Sequence, residues 1–398
     1  MFTRQVVLDA RGHIFGYELV PATGGGDAEP LLHAVSQSDG GLGQRRTLIV
    51  RCSPEMLAAG HLDLADPEQV IVRVQLPPMV DGEPARQVRA ALAALAARGV
   101  RLCLDQRALV SAWTEWLPHA WGLWVDVQAL PEAAARQVVK LAHAHGSLQL
   151  VAAGLSSPEA CRDAAAMGFT LFQGDWFAKP APVRAAAAQP AHATILQLIH
   201  MVRTEADPAS IEEVLKRDPA LSFNLLRFVN SSSMGLNCEI TSFRHAVLIL
   251  GLKKLFRWAS LLMATARTGA PPAAGHTAVV RGRLMELLAA GLLAPEECDS
   301  AFVVGIFSLL ETMTGLPLDR ALAGIALPDA VLDALLRRTG PLAPFLELAV
   351  ACEAVDDAAF AQLVDRLQLS DRQVNMAHLE SLAWAEELLA VEQEPALA

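Results

Sequence analysis

Residues 70–104, VIVRVQLPPMVDGEPARQVRAALAALAARGVRLCL, hold one full repeat of the pattern that decides the fold. Val70-Ile71-Val72 is a short apolar run of strand type. From Pro84 to Arg98 the residues Val88, Leu92 and Leu95 share one helical face. Gly99 then stops the helix and Leu102-Cys103-Leu104 opens the next strand. The alternation extends in both directions. Val6 to Leu8 and His13 to Val20 read as a hairpin around Gly12, and further apolar runs stand at Leu48-Ile49-Val50, Leu123-Trp124-Val125, Leu148 to Val151 and Phe169 to Phe172. Helical segments run from Pro131 to His145 and from the Ser157-Pro158 cap to Gly168. Repeated βα units predict a parallel sheet covered by helices, and six to eight of them favour a closed barrel.

Beyond residue 182 the strand signal ends. Lys179-Pro180-Ala181-Pro182, an alanine run and Pro190 read as a linker over 183–192. Ser210 with Glu213 three residues on has the form of a capping box that opens a short helix, which Asp218-Pro219 closes. Helical periods follow at Leu221 to Val229, Phe243 to Leu250, Leu252 to Ala266, Val279 to Ala290 and Glu296 to Met313, then onward to Leu389. The expected fold class is therefore α/β plus all-α: a barrel over 1–182, a helical domain over 193–390 and a loose tail over 391–398.

The 398 residues are 53% AVILMFWYC with a mean hydropathy of +0.32. Hydropathy of that order raises the question of a membrane. The most apolar stretch, Ala246 to Ala266, is broken by Lys253, Lys254 and Arg257, and the N-terminus runs straight into a strand pattern. A cytoplasmic protein is expected. The net charge of −11 argues against a general nucleic-acid footprint. Ten acids from Glu353 onward stand against Arg366 and Arg372, which reads as a solvated helical face. Six cysteines without a CxxC pair read as reduced thiols, not a zinc site.

A parallel barrel does its chemistry at the C-terminal ends of its strands. Those ends carry Glu18, Arg51, Arg73, Asp105, Asp126, Ala153 and Gln173. Phe15-Gly16-Tyr17-Glu18-Leu19-Val20, Leu104-Asp105-Gln106 and Phe172-Gln173-Gly174-Asp175-Trp176-Phe177-Ala178-Lys179-Pro180 resemble the motifs of an EAL domain, the TIM-like barrel that hydrolyses cyclic di-GMP. The resemblance implies oxygen ligands around two divalent cations. It also locates departures from the family pattern. Arg51 stands for an asparagine, Arg73 for a metal-binding glutamate and Gln106 for the second of two aspartates. Trp124 stands for a lysine, Ala153 for a glutamate and Ala22, before a Gly24-Gly25-Gly26 run, for a substrate-binding arginine. Glu18, Arg51, Arg73, Asp105, Asp126 and Gln173 are thus read as a vestigial site. Arginine stays charged and cannot coordinate a metal. Two readings of these arginines stay open: ion pairs with Glu18 and Asp105 where metals would sit, or a direct grip on phosphate.

From Ile211 to Ser231 and from Ile240 to Gly251 the chain resembles an HDOD domain, a relative of HD phosphohydrolases without their active site. The resemblance rests on Asp218-Pro219, Asn230-Ser231, Ile240-Thr241-Ser242 and Gly251. None of the 11 histidines is followed by aspartate, so the His-Asp metal motif is absent. Asp218, Pro219, Asn230, Ser231 and Gly251 read as structural, with Gly251 as a turn between helices. Residues 280–289 and 301–308 extend the likeness to two-domain EAL–HDOD signalling proteins.

Trp113 and Trp116 lie three apart on one helical face, and either core or a contact surface accounts for them. The resulting expectation is a bacterial, non-catalytic signalling scaffold that is no enzyme, holds no cofactor or metal and works through protein partners, with a homodimer as one form. A metal-independent cyclic di-GMP receptor and a residual phosphodiesterase are the alternatives; Ala22, Arg51, Arg73, Trp124 and Ala153 speak against the phosphodiesterase and weaken the receptor.

Overall fold

The computed structural model describes residues 2–21, 46–58, 62, 67–77, 81–109, 111–146, 148–179, 190–217, 221, 225, 228–229, 243–265, 271–323, 325, 327–354 and 357–393. Eight strands form a closed barrel in chain order: β1 (Phe2–Asp9), β2 (Ile14–Pro21), β3 (Thr47–Cys52), β4 (Val70–Val74), β5 (Arg101–Asp105), β6 (Ala120–Asp126), β7 (Gln149–Leu155) and β8 (Leu171–Gly174). Every apolar run in the sequence became one of these strands. The hairpin expectation holds, with Val6 opposite Tyr17 and Gly12 at φ 77°. It has a consequence for topology. β1 lies antiparallel to both β2 and β8, while the other neighbours are parallel.

The barrel interior is filled by Val7, Ile49, Ile71, Cys103, Trp124, Val151, Ala153 and Leu171. A second core lies outside the wall, where Val50, Val72, Leu102 and Leu104 meet Val88 and Leu92 of α1 (Glu83–Ala97) and Val139 of α2 (Glu132–Ala144). Period-2 alternation assigns each strand residue to one of these two cores, which is why the strands read as continuous apolar runs. The Ser157 hydroxyl accepts the Ala160 amide at 3.1 Å at the start of α3 (Pro158–Met167), and Gly168 closes that helix at φ 110°. Local chemistry set both ends as the sequence indicates.

The described residues divide into two compact units, Met1–Lys179 with Glu347–Ala398, and Pro180–Leu346. Residues 347–390, assigned by sequence to the helical domain, therefore pack with the barrel. The cause is visible at β1. No crossover helix follows β1, because the four residues 10–13 lead straight back along β2, and yet both faces of this strand are largely buried. Against it lie Cys352 and Glu353, just past α9 (Ala343–Ala351), and Asn375 and His378 of α11 (Asp371–Gln393), with α10 (Asp357–Leu367) between them in the chain. Phe2 stacks on His378 with ring centroids 5.5 Å apart, and the Arg4 amide donates to the Cys352 carbonyl at 2.8 Å. The buried Arg4 guanidinium lies 3.5 Å from Glu353. Tyr17 donates its hydroxyl to Glu386 at 2.5 Å, and Arg46 Nε meets the other oxygen of that carboxylate at 2.8 Å. The acidic end is thus not one solvated face: Glu386 is buried and Glu353 is paired.

The second unit is helical: α4 (Pro190–Arg203), α5 (Pro208–Arg217), α6 (Phe243–Thr265), α7 (Pro272–Ala289) and α8 (Pro295–Phe307). α5 opens earlier than the capping box predicts, because Pro208 takes the first helical position and the Asp207 carboxylate accepts the Ala209 amide at 3.0 Å. Ser210 and Glu213 therefore sit inside the helix. Gly251 breaks α6 at φ 70°, the turn between helices expected there. α7 and α8 cross at two glycines: a Cβ on Gly305 would stand 2.5 Å from the Gly282 Cα. Asp218, Pro219, Asn230, Ser231, Ala22, the Gly24-Gly25-Gly26 run and linker residues 183–189 lie outside the described residues.

Candidate functional site at the barrel mouth

Two residues beyond the interior layer, toward the C-terminal ends of the strands, stand Arg51, Arg73, Asp105, Asp126 and Gln173, with the buried Ala153 at the layer's upper edge. Glu18 enters the same region from β2, in register with Ile49 of β3. All six residues singled out in the sequence are therefore brought to one end of the barrel. Arg51 and Arg73 are direct neighbours across the β3–β4 ladder.

Glu18 is the centre of this end. Its side chain is fully buried. Arg51 Nε donates to Oε1 at 2.9 Å, Arg73 donates to the same oxygen, and Gln173 Nε2 donates to Oε2 at 3.2 Å. Burial alone raises a carboxyl pKa, but the charges and hydrogen bonds of Arg73 and Arg51 outweigh it and hold Glu18 below its usual value. The Arg73 guanidinium also lies 4.3 Å from the centre of the Trp124 ring, so the tryptophan supplies a π face to the charge. Gln173 is fixed in turn, its Oε1 accepting the Gly154 amide at 3.3 Å.

The pairing with Asp105 expected from sequence is absent among the described contacts. Asp105 accepts the amides of Leu76 at 3.2 Å and Arg107 at 2.8 Å, with the Arg107 guanidinium 3.8 Å away. One of these amides is local, two residues on, and the other comes from the chain just past β4, so both oxygens of the carboxylate are engaged by backbone donors. Burial pushes its pKa up, against the opposing pull of the Arg107 and Leu76 amides and the Arg107 and Arg73 charges. Asp126 similarly accepts from the amides of Gln128 and Ala129, at 3.1 and 3.2 Å. Gln106 accepts the Asp126 amide at 3.1 Å, tying β5 to β6. Beside the ring a cleft of about 400 Å³ is lined by Arg73, Asp105 and Arg107 together with Glu55, Gln75 and Leu76. Arg107 escaped the sequence reading, although its place two residues after Asp105 puts it at the mouth.

The pair of divalent cations that the EAL resemblance implies does not fit these residues. Each oxygen of Glu18 faces a hydrogen-bond donor, and two fixed cations flank it. No group of three or more His, Cys, Asp or Glu residues among those described is arranged to hold a metal. Trp113 belongs to the outer core with Arg89 over its ring at 4.7 Å, while Trp116 is half-buried 5.8 Å from His119. The core reading fits Trp113. No described helix is long and apolar enough to cross a membrane. Cys52, Cys103 and Cys352 are buried free thiols, the first two pushed up to about 12 by burial.

The chain thus carries two units, a closed eight-stranded TIM-like barrel and a helical one. Residues 189–307 match the HDOD domain family. Over 401 aligned residues the chain is 28% identical to a protein of Vibrio cholerae named cyclic di-GMP phosphodiesterase CdgJ, covering 97% of this chain and 92% of that protein. It is 26% identical to the uncharacterized protein YuxH of Bacillus subtilis over 56% of this chain and 55% of that one. Among solved structures, the EAL domain of Mycobacterium smegmatis DcpA matches 44% of this chain and 87% of its own length, at 21% identity and a TM-score of 0.35. The PaMucR phosphodiesterase in complex with c-di-GMP matches 46% and 92%, at 18% identity and a TM-score of 0.36. The expectation of a non-catalytic scaffold that is no enzyme is overturned by the first of these relatives, which aligns with both domains and is named for its phosphodiesterase activity.

Proposed function

We propose that this chain serves cyclic di-GMP signalling, with the barrel mouth as the end that engages the cyclic dinucleotide's phosphodiester. One observation carries the reading: a chain aligned over 97% of its length to a cyclic di-GMP phosphodiesterase brings Glu18, Arg51, Arg73, Asp105, Asp126 and Gln173 together at the strand ends. Guanidiniums are planar forks that match phosphate oxygens, and here two of them are already oriented by a buried carboxylate and a tryptophan face. Arg107, which lines the same cleft as Arg73, adds a third cation.

The test incubates the purified full chain with cyclic di-GMP, following bound ligand by calorimetry and linear product by chromatography. Binding that weakens about tenfold or more in Arg51→Ala and Arg73→Ala supports the reading, since charged contacts of this kind are worth about 1.5–3 kcal/mol. A folded chain that neither binds nor cleaves the dinucleotide overturns it.

A further inference from the structure

We infer that the barrel mouth carries its own fixed cations, the Arg51 and Arg73 guanidiniums, in the position where divalent ions would be held, so that a phosphodiester is met there without a metal. The clause about the phosphodiester rests on the function proposed above; the exclusion of the metal stands on geometry alone. Glu18 is the deepest carboxylate of the mouth and the first a cation would need. Its two oxygens are engaged by Arg51, Arg73 and Gln173, and no part of its side chain is open to solvent. A cation placed on Glu18 would have to displace a guanidinium, or stand within a few ångströms of two positive charges.

The arginines are not free to turn away. Neighbouring strand positions anchor both, and Arg73 is held between the carboxylate and the Trp124 ring. Arg73 Nε is buried without a hydrogen-bond acceptor among the described residues, so at Glu18 the donors outnumber the acceptors. That is the inverse of a metal site, which gathers oxygen acceptors. The remaining carboxylates do not compensate. Asp105 is drawn onto the amides of Leu76 and Arg107, just past β4 and β5, and Asp126 onto those of Gln128 and Ala129, just past β6.

The experiment titrates Mn²⁺ into the full chain without nucleotide, reading free Mn²⁺ by electron paramagnetic resonance. The free-ion signal is expected to stay undiminished at stoichiometric metal. Stoichiometric Mn²⁺ binding that Glu18→Gln abolishes would overturn the inference. The combined substitution Arg51→Asn and Arg73→Glu removes both cations and adds oxygen ligands. Checked for folding by circular dichroism, it is expected to bind Mn²⁺ about a hundredfold or more tightly than the parent chain. A folded double variant that binds no better overturns the claim that the arginines hold the metal's place; if that variant does not fold, the parent titration decides. Because no nucleotide is present, this result is read separately from any failure to bind cyclic di-GMP.

Discussion

The two units contain the same small motif in different settings. At the barrel mouth Glu18 lies between Arg51 and Arg73, with Arg73 4.3 Å from the Trp124 ring centre. In the helical unit Glu286 lies between Arg257 and Arg283, with Arg257 4.0 Å from the Phe302 ring centre. In both, the guanidiniums hold the carboxyl below its usual pKa although burial opposes them. The difference is where each arginine comes from and how much water remains. Arg283 sits one helical turn from Glu286, and the carboxylate keeps 16% of its surface exposed. The parts of the Glu18 cluster come from four strands of a closed barrel, and the carboxylate keeps none. An arginine-flanked carboxylate is therefore no sign of function by itself. Convergence at the strand ends separates the first cluster from the second.

The largest expected effect breaks this comparison directly. Glu18→Ala leaves two hindered guanidiniums facing each other without their counter-charge, and a loss of about 3–5 kcal/mol is expected in chemical denaturation of the full chain. Glu286→Ala should cost less, about 1–2 kcal/mol, because water reaches that cluster. Equal losses would mean that burial does not distinguish the two sites. Trp113, the other tryptophan under an arginine, tests whether such pairs are core or contact surface. Trp113→Ala is expected to cost about 3 kcal/mol or more with the solution mass unchanged. A changed mass at unchanged stability would return it to the surface.

The smallest effect concerns α11. Burial, aided by the Arg4 charge, holds the His378 pKa well below its usual value, so the folded chain binds fewer protons there than the unfolded one. The stability it contributes is complete above the unfolded pKa of about 6.5 and declines as pH falls below it, by at most about 1.4 kcal/mol per pH unit. His378→Phe keeps a ring against Phe2 and should flatten the stability profile between pH 7 and 5. An identical slope in the variant would show that His378 is not its source.

The barrel was legible because buried parallel strands leave continuous apolar runs, and because Gly99, Gly146 and Gly168 end helices in backbone conformations that other residues resist. The ring at the mouth was legible for a related reason: period 2 carries an interior residue to the strand end in one step. Partner choice was not. Arg73 could be expected near a carboxylate, but whether that is Glu18 or Asp105 depends on which carboxylate backbone amides already engage, and those of Leu76 and Arg107 engage Asp105. The placement of α10 and α11 was also hidden. An amphipathic helix shows that it has a covered face and does not say which core covers it. Only the need of β1 for a cover, created by the hairpin, could have pointed there.

That cover makes the barrel unit discontinuous in the chain, with residues 180–346 lying between its two parts. On a ribosome the strands are complete long before α11 exists. At roughly 5–20 residues per second the gap is of the order of ten to forty seconds. Through that interval the outer side of the β1–β2 hairpin, with Phe2, Arg4 and Tyr17, lacks these partners, while the intervening helices are being made and can fold. Vectorial synthesis therefore sets an order of events that the finished fold conceals: the first strand emitted is among the last to be enclosed.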